Sequence, residues 1–160
     1  MPDEFIADVL GVMQRTPQHT YQLLTKRSKR LAALAGTLDW PDNLWLGVSI
    51  ENDAYTFRAR HVAAVTDIPV RFLSLEPLLG PLPSLDLDGI DWIIVGGESG
   101  PNHRPIDETW VRELRDRAVQ AAIPFFFKQW GGRTPKAGGR ELDGRTWDQR
   151  PTPSRRQAAS

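Results

Sequence analysis

The chain contains no cysteine, which excludes disulfides, thiolate nucleophiles and cysteine-held zinc or iron–sulfur centres within these residues. Histidine is scarce as well. His19, His61 and His103 lie far apart and form no ligand pair, so each reads as a surface or hydrogen-bonded residue and no metal site is expected. Neither sign of charge is in excess: 20 basic residues balance 20 acidic ones, which removes the bulk electrostatic case for nucleic acid. No apolar run approaches the roughly 20 residues of a membrane span, and Met1-Pro2-Asp3-Glu4 lacks the basic region of a secretory signal. The expectation is a soluble, cytoplasmic protein. The Gly-x-Gly-x-x-Gly turn of a dinucleotide-binding sheet is also missing.

What the sequence does contain is alternation of strand and helix patterns. Phe5, Ile6, Val9, Leu10 and Met13 recur three and four apart, the period of an amphipathic helix over residues 4–13 that stops before Pro17. A strand is expected over 19–24, then a helix capped by Ser28 and running to Leu38. Residues 43–50 form the second strand, 54–65 a helix, and 70–75 the third strand. The apolar run Asp91-Trp92-Ile93-Ile94-Val95 reads as a strand buried on both faces. Asp107 caps a helix over 108–122 whose inner face is Val111, Leu114, Ala118 and Ala121, and Pro124 opens a strand at Phe125-Phe126-Phe127.

Strands therefore end near residues 25, 50, 76, 97 and 128, mostly about one βα unit apart, which predicts a parallel sheet with right-handed crossovers. Each strand ends in a polar cluster: Lys26 and Arg27, then Ser49 and Glu51, then Glu76, then Gly96-Gly97-Glu98-Ser99, then Lys128-Gln129-Trp130. Parallel strands bring those clusters to one edge, where α/β proteins hold their ligands. Gly96 and Gly97 permit positive φ and close approach of a ligand to main-chain N–H groups. The plainer alternative is a tight strand-to-helix turn with Glu98 solvated. Likewise Glu51, Glu76 and Glu98 read either as ligand-binding carboxylates or as ion-pair partners of Lys26, Arg27 and Lys128. Trp130 is the aromatic placed to stack on an adenine or nucleobase, while most of the other tryptophans read as core or rim packing.

From Gly132 the character changes. Residues 1–131 read as the folded α/β part, 132–150 as an extension or lid containing Leu142 and Trp147, and 151–160 as a disordered tail. Arg133, Lys136, Arg140, Arg145, Arg150, Arg155 and Arg156 offer charge for a phosphate backbone or simply a solvated face. Five parallel strands make an arc, whereas a closed ring needs eight, so the fold class expected is a partial (β/α) barrel with two open edges and about three βα units ahead of Met1.

The segments TPQHTYQLLTKR (16–27), NLWLGVSIEN (43–52), VRFLSLEPLLGPL (70–82), DWIIVGGESGP with HRP (91–105), PFFFKQWGG (124–132) and GRELDGRTWD (139–148) together resemble a family encoded by phages and bacteria and usually described as a phage protein of unknown function. The resemblance runs from Pro2 to about Pro151. Full-length members look like radical S-adenosylmethionine proteins, with a (β/α) barrel and an N-terminal three-cysteine motif for an iron–sulfur cluster, often beside a gene for a three-Cys-motif partner protein. The segment that would hold those cysteines precedes Met1, so the start is expected to be internal or misassigned, or the gene truncated. By this analogy Gly96, Gly97, Glu98 and Ser99 would contact S-adenosylmethionine, Glu51, Glu76, Glu98 and Lys128 would serve the reaction, and Lys26, Arg27, Ser49, Gln129 and Trp130 would face substrate.

Three functions follow as expectations. The first is the C-terminal, substrate-facing part of a radical-SAM-like enzyme, inactive alone. The second is a cofactor-free hydrolase using Glu76 and Glu98 as a carboxylate pair. The third is a non-catalytic module that binds phage nucleic acid through the basic extension. Open sheet edges imply self-association or a covering partner.

Overall fold

The expected alternation is realised in the computed structural model, which describes residues 2–152. Helix α1 (Asp3–Gln14) leads to β1 (Tyr21–Thr25), α2 (Ser28–Leu34) and β2 (Leu44–Ser49). A 3-10 turn (Asp53–Tyr55) precedes α3 (Phe57–Ala63), then β3 (Val70–Leu75), β4 (Trp92–Gly96), α4 (Glu108–Gln120) and β5 (Phe125–Gln129). Asp107 caps α4 as its position predicts, its carboxylate accepting from the Thr109 amide at 2.7 Å. Helix boundaries differ from expectation: α2 ends at Leu34 and not at Leu38, and two helix starts change for reasons the contacts show. Ser28 does not cap α2; its hydroxyl meets His61 Nδ1 at 2.9 Å, so a contact between α2 and α3 replaces the local one. Asn52 accepts from the Ala54 amide at 3.1 Å and opens the 3-10 turn, which delays α3 to Phe57.

The five main strands form one sheet in the order β1-β2-β3-β4-β5, every neighbouring pair parallel. The sheet is open, not a closed ring. Side chains alternate between its faces. Leu46 and Val48, Leu73 and Leu75, Ile93 and Val95, and Phe125 and Phe127 point to one face, where they are fully buried. Buried residues of all four helices join that cluster: Leu10, Leu31, Ala59, Val62, Val111, Leu114 and Ala118. Ala121, expected on the inner face of α4, is exposed beyond the helix end.

The other face carries a separate aromatic cluster. Val70, Phe72 and Trp92 are buried there, with Trp45, Ile94 and Phe126 packed around them. Trp92 stands edge-on to Trp45 and Phe126, with ring centroids 5.7 and 6.0 Å away. No residue of α1–α4 belongs to this cluster. Helices on one face only is the arrangement of an arc, not of a doubly wound sheet.

Of the two open edges expected, one is covered. After the hairpin β6 (Glu141–Leu142) and β7 (Arg145–Thr146), residues 147–149 run antiparallel along β5. Phe127 N donates to Trp147 O at 2.9 Å and Gln149 N to Phe125 O at 3.3 Å. Leu142 is fully buried and Trp147 nearly so, both in the cluster with Phe125 and Phe127. The extension is therefore part of the same core; one hydrophobic residue on each arm of the segment anchors it. Asp143, at φ 53° in the hairpin turn, binds Arg112 and Arg115 of α4. The expected tail falls mostly on residues 153–160, and with Arg155 and Arg156 lies outside the described residues. Among the described residues no helix is long and apolar enough to cross a membrane.

Candidate functional site: the C-terminal rim of the parallel sheet

The register sets what the rim presents. Ser49 pairs with Ser74, and the next positions on the same face are Glu51, Glu76 and Gly96. Glu51 is buried at the end of β2 and held from two sides. Arg58, itself buried in the first turn of α3, donates from Nη1 to Glu51 Oε2 at 3.2 Å and to Ser49 O at 2.7 Å, with its guanidinium 4.1 Å from the centre of the Tyr55 ring. Lys26 Nζ lies 2.5 Å from Glu51 Oε1, but off the hydrogen-bonding direction, so that buried oxygen has an ion-pair neighbour and no hydrogen-bond donor. The Lys26 side chain is 64% exposed and that of Glu51 9%.

Glu76 repeats the pattern across β4. Its Oε2 accepts from the buried Ser74 hydroxyl at 3.3 Å, and Lys128 Nζ, on a side chain 54% exposed, stands 3.2 Å from Oε1. Gly96 makes this span possible: a Cβ there would lie 2.6 Å from Glu76 Oε1. Two carboxylates thus sit low on the rim, each covered by a long cationic side chain that reaches in from solvent.

The β4–β5 end is built differently. Gly97 does not adopt positive φ, and its N–H donates to Gln129 O at 2.9 Å, so it offers no free donor to a ligand. The glycine is required by proximity, since a Cβ at Gly97 would sit 1.9 Å from Trp130 O. Gly132 N donates to Glu98 O, Gly100 N to Gly132 O, and the Gln129 side-chain amide bridges Ser99 Oγ at 2.9 Å and Gly97 O at 3.3 Å. Gly96-Gly97-Glu98-Ser99 and Gln129 thus knit two strand ends together. Trp130 is engaged too: Nε1 donates to Glu141 O at 2.7 Å and the ring packs edge-on against Phe127 at 4.6 Å. Arg27 is exposed beside Lys26, its backbone N–H held by Thr25 Oγ1.

Glu98 spends its whole carboxylate on Arg104. The Arg104 amide and Nε both donate to Oε2 at 2.8 Å, and Nη2 donates to Oε1 at 2.7 Å. The hydrogen bonds from the Arg104 side chain, then from its backbone N–H, push the Glu98 carboxyl down to about 2 from 4.5. A carboxyl depressed on folding adds stability that is present above its unfolded value of 4.5 and is lost as pH falls towards about 2. NMR titration of Glu98 should therefore find the carboxylate ionised until about pH 2 in the parent chain, and Arg104→Leu should return its midpoint towards 4.5. An unchanged midpoint in that variant would disprove the bracing role of Arg104.

Arg58, Ser74 and Arg104 are the rim residues that sequence reading missed. Arg58 had a usable signal, because the first turn of the helix after a parallel strand lies over that strand's end. Arg104, six residues beyond Glu98 in an irregular loop, had none. Among the described residues no group of three or more His, Asp or Glu is placed to hold a metal ion.

A sequence-family profile described as "Protein of unknown function (DUF5131)" matches residues 1–151. No curated protein and no solved structure matches the chain.

Proposed function

The chain belongs to the DUF5131 family, whose function is unknown, and on that premise we propose that it is the substrate-facing, C-terminal arc of a phage-type radical-SAM-like (β/α) barrel protein, inactive alone. The observation that carries this reading is the pair of low-lying carboxylates, Glu51 and Glu76, at the C-terminal ends of adjacent parallel strands, each with one oxygen held from within the fold and the other facing an exposed lysine. Helices confined to one face of a sheet with sequential strand order support the barrel geometry.

The iron–sulfur cluster implied by the resemblance does not fit this chain, which has no thiolate to hold it. S-adenosylmethionine fits in part. Its ribose hydroxyls and ammonium group match acceptors such as Glu51 Oε1 and the Glu76 carboxylate, whereas Gly97 N–H and the Glu98 carboxylate are already paired. Lys26 and Lys128 stand over the two carboxylates, and with Arg27 they suit anionic groups of a substrate.

The hydrolase reading is weaker, because both oxygens of the Glu98 carboxylate are held by Arg104 and neither is free to serve as acid, base or nucleophile. The nucleic-acid reading is weaker because some of the extension's cations serve the fold. Arg140 pairs with Asp148, and Arg145 lies 3.6 Å over the Trp147 ring.

Calorimetric titration of the purified chain with S-adenosylmethionine tests the proposal. Binding should weaken about tenfold or more in Glu76→Gln, the loss of one charge-assisted contact, and stay unchanged in Glu98→Gln. Absence of binding at millimolar ligand, or equal loss in both variants, would remove the cofactor-facing role.

A further inference from the structure

Among the described residues no segment pairs along the β1 edge, in contrast to the β5 edge. Tyr21 N donates to Asn43 O, so Tyr21, Leu23 and Thr25 bond towards β2 while Gln22 and Leu24 turn their N–H and C=O groups outward. An uncovered strand edge is a template for another strand. Leu24 is half-exposed, and so is Phe5 on α1. Between them runs a groove of about 660 Å³, lined chiefly by apolar side chains that include Phe5, Ile6 and Val9 of α1, Leu23 and Leu24 of β1, and Leu31 of α2.

The fold itself states the shape of what fits there. Helix α3 lies across both β2 and β3, the strands before and after it in sequence. Helix α1 precedes β1 in the chain as α3 precedes β3, and its apolar residues Phe5, Ile6 and Val9 line the groove together with Leu23 and Leu24 of β1. An extended segment entering under α1, parallel to β1, would meet the outward backbone groups of Gln22 and Leu24 on one side and Phe5, Ile6 and Val9 above. Charge fixes its direction. At the rim end of the groove Lys26 and Arg27 are exposed, so a parallel strand ending in a carboxylate is complemented there. A two-fold pairing of β1 with a second copy would instead run antiparallel and set Lys26 and Arg27 beside His19 and Thr20, neither of which carries a negative charge.

We propose that the β1 edge and the groove under α1 form a docking site for a parallel β-strand from a partner polypeptide, apolar on alternate residues and acidic at its C-terminal end. The inference rests on reading the sheet as an arc, and not on the ligand chemistry of its rim.

The test uses the whole chain and a fluorescent synthetic peptide copying residues 69–77, Pro-Val-Arg-Phe-Leu-Ser-Leu-Glu-Pro, as a strand of the stated chemistry. Fluorescence anisotropy should show saturable binding, and hydrogen exchange should slow about tenfold or more at the Gln22 and Leu24 amides on peptide addition, as backbone pairing requires. Leu24→Pro removes one outward N–H while leaving the inward ladder intact, and should abolish binding. Phe5→Asp, on the other wall, should do the same should the proline variant fail to fold. A peptide with lysine in place of its glutamate should bind more weakly. Absence of binding, or binding indifferent to both substitutions, would overturn the proposal. A concentration-dependent dimer broken by Leu24→Pro would overturn it as well, by assigning the edge to a second copy. Peptide binding without S-adenosylmethionine binding would leave the docking site standing and remove only the rim reading.

Discussion

Glu51→Leu is expected to destabilise the chain by about 3 kcal/mol, the lower part of the range for breaking a buried ion pair. The substitution leaves the buried Arg58 guanidinium with only Ser49 O at 2.7 Å and the Tyr55 ring at 4.1 Å for company. Those two contacts are why the loss should not reach the top of that range. Combining Glu51→Leu with Arg58→Met should recover most of the loss, because the cost lies in the uncompensated charge more than in the missing bond. Lys26→Ala is the informative contrast. Its ammonium is closer to Glu51 than Arg58 is, but the side chain is 64% exposed, and such a pair contributes about 0–1 kcal/mol. Urea denaturation of the three variants decides the matter. Equal losses for Lys26→Ala and Glu51→Leu would mean that the rim pair, and not the Arg58 contact, holds this carboxylate.

Gly97→Ala should cost a comparable amount, about 3 kcal/mol, at a position where only two hydrogens stand on the α-carbon. The added methyl would lie 1.9 Å from Trp130 O and 3.1 Å from Ile106 Cγ2, and the nearer atom is backbone. Relief therefore requires the β4 and β5 ends to separate. That strains Gly97 N to Gln129 O and Gly132 N to Glu98 O, and displaces the Gln129 bridge to Ser99. Gly36→Ala is the control, since nothing lies within 4 Å of a Cβ there. Thermal melting should separate the two variants clearly. A Gly97→Ala chain that melts with the parent would show that the two strand ends pack less tightly than these distances state.

Much of the framework was legible because it depends on neighbours along the chain. Alternation of strand and helix periods located β1 to β5 to within a few residues, and the Asp107 cap is a contact between residues two apart. The clustering of polar residues after each strand was legible for the same reason. Parallel order then brings Lys26, Glu51, Glu76, Glu98 and Lys128 to one edge without further information. What those residues do there was not legible. Glu98 follows the most conspicuous glycine motif, yet its carboxylate is consumed by Arg104, while Glu51, in an unremarkable stretch, retains a buried oxygen without a hydrogen-bond donor. Gly96 and Gly97 read either as a cradle for a ligand or as a tight turn, and packing shows a third use: they make room for Glu76 and for the Trp130 carbonyl. The segment after Gly132 read as an extension or lid because glycines and arginines dominate its composition; two apolar residues, Leu142 and Trp147, place part of it in the core.

The sequence by itself determined that this is an α/β chain of sequential βα units with a polar edge and with no means of holding a metal cluster through cysteine. Those properties follow from side-chain period and from chemistry that is either present or absent. The tertiary structure decided which carboxylates remain available, which sheet edge is covered, and which glycines exist for contact rather than for turning. Each of those outcomes is a choice of partner between residues distant in sequence, and such a choice is made only when packing has brought the candidates within a few ångströms of one another.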